Sequence, residues 1–175
     1  MGGEKKNTLI LGLGNPLLGD DRLGLLLVED LQKNSQLRQK ASFFFSSQSG
    51  LYLLDLLIGY QCVIFIDTIS CAREVAGQVQ CIALKKSAAT VYGSSPHYIG
   101  IHSMIALGNR LHLNMPKELW LIGITVNEGL QIEEGLSKEI QKKYGQILKK
   151  VEREVLGILS GRSLKGARPC RASMC

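Results

Sequence analysis

Paired thiols are missing from this chain. Its five cysteines, Cys62, Cys71, Cys81, Cys170 and Cys175, never fall as C-x-x-C, which argues against a zinc knuckle or a thioredoxin-type redox motif. Cys62 and Cys81 lie in apolar stretches and read as core thiols rather than nucleophiles. No apolar run reaches the roughly 18 residues that a membrane span requires. The first seven residues lead straight into a strand-like run with no signal-peptide h-region, which predicts a cytosolic protein. A genuine charge excess is also lacking. The net charge of +6 includes Arg162, Lys165, Arg168 and Arg171 in a stretch with no acid. Without those four the body is nearly neutral, so composition offers no case for nucleic-acid binding.

What is present suits an ordinary globular domain. The 175 residues are 45% hydrophobic and 21% charged, enough for one layered core. Residues 1–160 read as a single domain. Residues 161–175 are basic and without periodicity, and read as a disordered tail.

The most informative stretch is Thr8 to Gly24. Leu9 to Leu13 is a short apolar run, read as a buried parallel strand. Gly12-Leu13-Gly14-Asn15-Pro16 then turns the chain, since Pro16 cannot continue a central strand. Apolar residues resume at helical spacing with Leu23, Leu26, Leu27 and Leu31, and Asp20 is placed as the N-cap of a helix running to Asn34. Asp21 would then sit in its first turn, just past the carboxyl end of strand one. Gly12 and Gly14 fit the start of G-x-G-x-x-G, but the third position is Leu17, and two acids at the turn would repel a pyrophosphate. No Gly-Lys-Ser/Thr follows, which removes a P-loop.

Further along, the pattern predicts strand two at Ala41–Ser46 and a helix over Leu51–Gly59. Strand three is Cys62–Ile66, closed by Asp67. Strand four, within Gly77–Leu84, follows only nine residues from Thr68 to Ala76. That is too short for a parallel crossover, so it is expected to run antiparallel. A helix over Gly100–Leu111, strand five at Leu119–Ile124, a polar loop from Thr125 to Leu136 and a long helix capped by Ser137 complete the chain. The order β-α-β-α-β-β-α-β-α predicts a three-layer α/β/α domain around a mixed, mostly parallel five-stranded sheet.

Three residues carry candidate chemistry on the strand-end side: Asp21, Asp67 and His97, the last in Ser95-Pro96-His97 before the third long helix. A charged residue closing an apolar strand is costly unless solvated or paired. Asp67 could cap the following loop, and His97 could be a loop histidine. Together they form an O,O,N set suited to a transition metal with open positions or to acid–base catalysis.

The pattern Gly12-x-Gly14-Asn15-x-x-x-Gly19-Asp20-Asp21-x-x-Gly24, with Ile64-Phe65-Ile66-Asp67 and Ser95-Pro96-His97, resembles the hydrogenase maturation endopeptidases over about residues 8–157. Peptidyl-tRNA hydrolases share only Gly12 to Pro16. The resemblance implies a hydrolase that removes the C-terminal extension of a nickel–iron hydrogenase large-subunit precursor. It makes Asp21, Asp67 and His97 the catalytic and metal-coordinating trio. The nickel would be that of the substrate, and no nucleic acid or membrane would be involved. A monomer is expected. Aspartic-type and nickel-assisted mechanisms both remain open, as does a non-catalytic nickel-checking chaperone using the same trio. Two departures stand out. Ser46-Ser47 replaces the family's Gly-Gly after strand two, and Thr68 replaces an alanine after Asp67. His102 is read as a supporting residue or a replacement ligand for His97, and His112 as a surface residue.

Overall fold

The computed structural model describes residues 7–48, 50–70, 75–84, 101–127 and 135–161. Five strands form one sheet: β1 (Thr8–Leu13), β2 (Ala41–Ser46), β3 (Cys62–Ser70), β4 (Val79–Ala83) and β5 (Glu118–Val126). Their order is β2-β1-β3-β5-β4. The first four in that order pair in parallel, and β4 pairs antiparallel with β5. This is the mixed sheet expected from the short connection into β4.

Helices cover both faces. Strand residues alternate between the two. Ile10, Ile64, Ile66, Ile122 and Ile124 face one core together with α1 (Leu23–Leu31) and α5 (Lys138–Leu159). Leu9, Leu11, Val63, Phe65 and Leu121 face the other, with α3 (Leu54–Leu57) and α4 (Ile101–Arg110). The apolar stripe of α5 buries Ile140, Ile147, Val151 and Val155. Its start is capped as expected, the Ser137 hydroxyl accepting from the Ile140 amide at 3.4 Å.

Several boundaries depart from the sequence reading. The expected single helix up to Asn34 is three pieces: a 3-10 turn at Gly19–Arg22, then α1, then α2 (Ser35–Lys40). Asn34 causes the last break. Its Oδ1 accepts from the amides of Gln36 and Leu37 at 2.8 and 3.3 Å, opening a new helix. Asp20 is not the cap of α1. Its carboxylate accepts from the Ser137 amide at 2.7 Å instead, tying the first loop to the start of α5. The expected helix over Leu51–Gly59 is a 3-10 turn at Gly50–Leu53 followed by the single turn α3.

Strands β3 and β5 each outrun the expected ends. Thr125 looked like loop on polarity, but it is buried in β5 with its hydroxyl satisfied. Its Oγ1 donates to the Val75 carbonyl at 2.8 Å and accepts from the Gln78 amide at 2.9 Å. With β5 extended, β3 pairs along its whole length as far as Ser70 opposite Val126. Asp67 therefore sits within a strand, opposite Gly123, and does not close it. On its other side β1 runs out, because the last β1–β3 pair is Gly12 with Ile66. Asp67 is thus the first residue of β3 past its pairing with β1.

Candidate active site

The strand order reverses between β1 and β3. From β1 the chain crosses one face through α1 to β2, and from β2 it returns over the other face through α3 to β3. Such a switch point leaves a crevice at the carboxyl ends of the two strands, where open α/β sheets hold their ligands. Asp21 lies in the turn after β1, and Asp67 lies in β3 at the same edge.

Glycine makes the turn geometrically possible. Gly14 has φ +149°, and a Cβ there would lie 2.0 Å from the Asp21 carbonyl oxygen, so the loop folds back directly over it. Gly24 is wedged at the start of α1, where a Cβ would meet the Leu13 and Ile66 carbonyl oxygens at 2.2 and 2.6 Å and the Asp67 Cα at 3.3 Å. This close approach seats the helix on β1 and β3 together. The two glycines thereby bring the Asp21 turn and the Asp67 segment to one rim.

Asp21 is buried and held at both oxygens. Oδ2 accepts from the Asn15 amide at 2.8 Å, and Oδ1 accepts from the Thr68 hydroxyl at 3.1 Å. Asn15 is itself fixed by an Asx turn, its Oδ1 accepting from the Leu17 amide at 3.0 Å. Asp67 is fully buried, and its Oδ1 accepts from the Thr68 amide at 2.7 Å. Thr68 thus binds one aspartate through its backbone and the other through its side chain. These contacts orient both acids.

The structure therefore brings together two of the three expected site residues. His97 lies outside the described residues. The segment that follows it starts on the same side of the molecule. β5 begins at the opposite end, with the Lys117 and Glu118 amides donating to the Gln61 carbonyl. α4, which precedes β5, therefore begins at the rim where β1 ends. His102 is in the first turn of α4. His112 is exposed, as expected.

Thr68 was not among the expected site residues. Its departure from the family's alanine was the available signal, and the hydroxyl that distinguishes the two is the group that reaches Asp21. Burial, helped by the carboxylates of Glu118 and Glu154 respectively, pushes the Cys62 and Cys81 thiols up to about 12. Neither is a thiolate at neutral pH, in keeping with their reading as core residues.

Residues 25–154 match the family model described as hydrogenase maturation protease. The chain belongs to the hydrogenase maturation proteases. The match begins just after the Asp21 turn and includes Asp67. The hydrogenase 2 maturation protease of Escherichia coli (strain K12) is 26% identical over 144 residues, covering 82% of this chain and 87% of the relative. The fold agrees with that of the solved E. coli hydrogenase maturating endopeptidase HybD, with a TM-score of 0.67 and 22% identity over 89% of this chain and 94% of that one. The [NiFe] hydrogenase maturation protease HybD of Thermococcus kodakarensis gives a TM-score of 0.60 at 23% identity, over 85% and 98% of the two chains. Family membership makes this protein a maturation endopeptidase, and sets aside the chaperone and peptidyl-tRNA hydrolase readings. No described helix is long and apolar enough to cross a membrane.

Proposed function

We propose that the protein removes the C-terminal extension of a nickel-loaded nickel–iron hydrogenase large-subunit precursor by a single cut in the cytoplasm. Asp21 and Asp67 meet the nickel carried by the precursor, and His97 supplies a nitrogen donor. The observation that supports this most is the linkage of two buried aspartates through Thr68 at the β1/β3 crevice. Two carboxylates held side by side at a sheet-end crevice form an oxygen donor set for a divalent cation. A dication carried in by the precursor would seat on that donor set, and metal loading would then gate the cut.

The set can act chemically in two ways. The substrate's nickel, held by the trio, can polarise the scissile carbonyl or a water. Alternatively, one carboxylate takes the proton of an attacking water while the other is held by its hydrogen bonds. Both ways need the two aspartates held in fixed positions, and the second needs the one that takes the proton to be a carboxylate.

Purified precursor, with and without nickel, is incubated with the protein and its length is read by mass spectrometry. The expected result is nickel-dependent loss of the C-terminal segment by the wild type, and intact precursor with Asp21→Asn, Asp67→Asn or His97→Gln. Normal shortening by Asp67→Asn would overturn the assignment of that residue. Persistence of intact precursor with the wild type would overturn the substrate.

A further inference from the structure

Between α1 and β2 lies a groove of about 200 Å³ lined by Pro16, Arg22, Leu25, Leu26, Glu29 and Phe45. Its helical wall is one stripe: Arg22, Leu25, Leu26 and Glu29 stand at i, i+3, i+4 and i+7. Its other wall is the edge of the sheet. Among the described residues β2 pairs only with β1. Phe44 and Phe45 on it are 50% and 55% exposed. Edge strands are normally blunted by charge, proline or a cover. This one carries two exposed phenylalanines.

Arg22 does not fit a merely structural role. Its Nε is buried and has no hydrogen-bond partner, and it makes no ion pair among the described residues. A guanidinium N–H withdrawn from water with no acceptor is destabilising; Arg22 also lines the groove, where a carboxylate is the best complement of its guanidinium. Arg22 also directly follows Asp21, and β2 ends with Ser46 opposite Leu13, the last residue of β1. The groove therefore opens at the same rim as the two aspartates. Glu29, two helical turns further along, places negative charge at the far end, so the groove has a polarity.

We propose that this groove is a subsite for an extended segment of the precursor chain that passes along β2. Arg22 takes an acidic side chain of that segment at the end nearest the catalytic rim. Leu25, Leu26, Pro16 and Phe45 take the apolar residue beside it, and the Phe45 end of β2, which among the described residues pairs only with β1, offers main-chain hydrogen bonds to it. Glu29 repels an acid at the far end and so sets the direction in which the segment lies. This subsite rests on the processing reading for the identity of its occupant, and on the groove alone for the chemistry it accepts.

Two measurements on the full-length protein test it. In the first, fluorescence anisotropy compares two end-blocked, labelled peptides of alternating valine and threonine, one with a central aspartate and its twin with asparagine there. The wild type binds the acidic peptide at least about tenfold more tightly, as expected for a hydrogen bond between charged groups. Arg22→Gln loses the preference, and Arg22→Lys keeps part of it. In the second, Arg22→Gln raises KM for precursor processing about tenfold while kcat stays within about twofold, the pattern of lost uniform binding. Equal or absent binding of the two peptides by the wild type, or an unchanged KM in a folded Arg22→Gln variant, overturns the subsite. Precursor left intact by the wild type while the peptide preference persists overturns the processing reading alone.

Discussion

Replacing Thr68 with valine removes one hydroxyl and little else. Valine matches threonine in shape and keeps the β-branch that β3 favours. The hydroxyl donates to Asp21 Oδ1 at 3.1 Å, and Thr68 is only 4% exposed. Water therefore cannot replace the lost donor freely. A hydrogen bond to a charged acceptor is worth about 1.5–3 kcal/mol, so a loss of about 2 kcal/mol is expected. For a chain of this size that lowers Tm by about 4–8 °C. Asp21 keeps its bond from the Asn15 amide to Oδ2, so the carboxylate stays in the crevice but loses the hydroxyl that orients Oδ1. Loss of fixed geometry at a reacting centre costs about 100-fold for a displacement of about 1 Å. Processing should therefore fall by at least about tenfold.

Thermal melts followed by circular dichroism, together with timed conversion of precursor, read both effects. Thr68→Ser keeps the hydroxyl and should stay near the wild type in processing. Thr68→Ala adds a small void and should melt no higher than Thr68→Val. A Thr68→Val variant with an unchanged Tm and an unchanged processing rate would refute the linkage. So would serine and valine variants that behave alike in processing.

Gly24→Ala should destabilise the fold by about 3 kcal/mol or more in urea melts, since the new methyl must displace backbone; the obstacles are carbonyl oxygens at 2.2 and 2.6 Å. Gly145→Ala is the contrasting case, because an added Cβ meets nothing within 4 Å, and removing a glycine from the interior of α5 should gain about 0.5–1 kcal/mol in the same assay. Tyr144→Phe removes the phenol that donates to Asp30 Oδ2 at 2.7 Å, costing about 1 kcal/mol near neutral pH. Lys33 first, and Tyr144 second, hold the Asp30 carboxyl below its ordinary 3.8, so this stabilisation is complete above that value and is lost as the pH falls below it. The gap in stability between Tyr144→Phe and the wild type should therefore narrow in acid, and a constant gap across that range would contradict the assignment.

The fold was legible where burial leaves a strong pattern. The Ala41–Ser46 strand and the α5 stripe follow from apolar patterning, and the antiparallel fourth strand from the short connection before it, signals that survive any detail of tertiary context. Misreadings arose where a polar side chain finds its partner far away in sequence. Asn34 looked like the tail of one helix because its capping bonds compete with helix continuation only once Leu37 is buried. Thr125 looked like loop because nothing local reveals that Val75 and Gln78 will satisfy its hydroxyl. Asp20 looked like a cap for the helix beside it, whereas its partner, Ser137, lies 117 positions away. Local propensity cannot distinguish such cases, since the competing partner exists only in the folded chain.

The two aspartates reach the rim from opposite layers of the molecule. Along β3, Phe65 and Ile69 belong to the α3/α4 core and Ile66 to the α1/α5 core. Alternation then sends the Asp67 side chain toward the α4 face and Thr68 toward the α1 face, where Thr68 finds Asp21. A cation at the end of the crevice would thus be gripped across the edge of the sheet, by Asp21 over one face and Asp67 over the other. Such a grip needs β1 to end before β3 does, so that no backbone separates the two carboxylates. The pairing meets that condition, with β1 released after Gly12–Ile66 and β3 continuing along β5 to Ser70. The unequal strand lengths, which the apolar runs understated, are therefore what opens the site. α4 starts at the rim and on the side of Asp67, so under the proposed trio a donor from the sequence before α4 would join the layer that otherwise contributes only one.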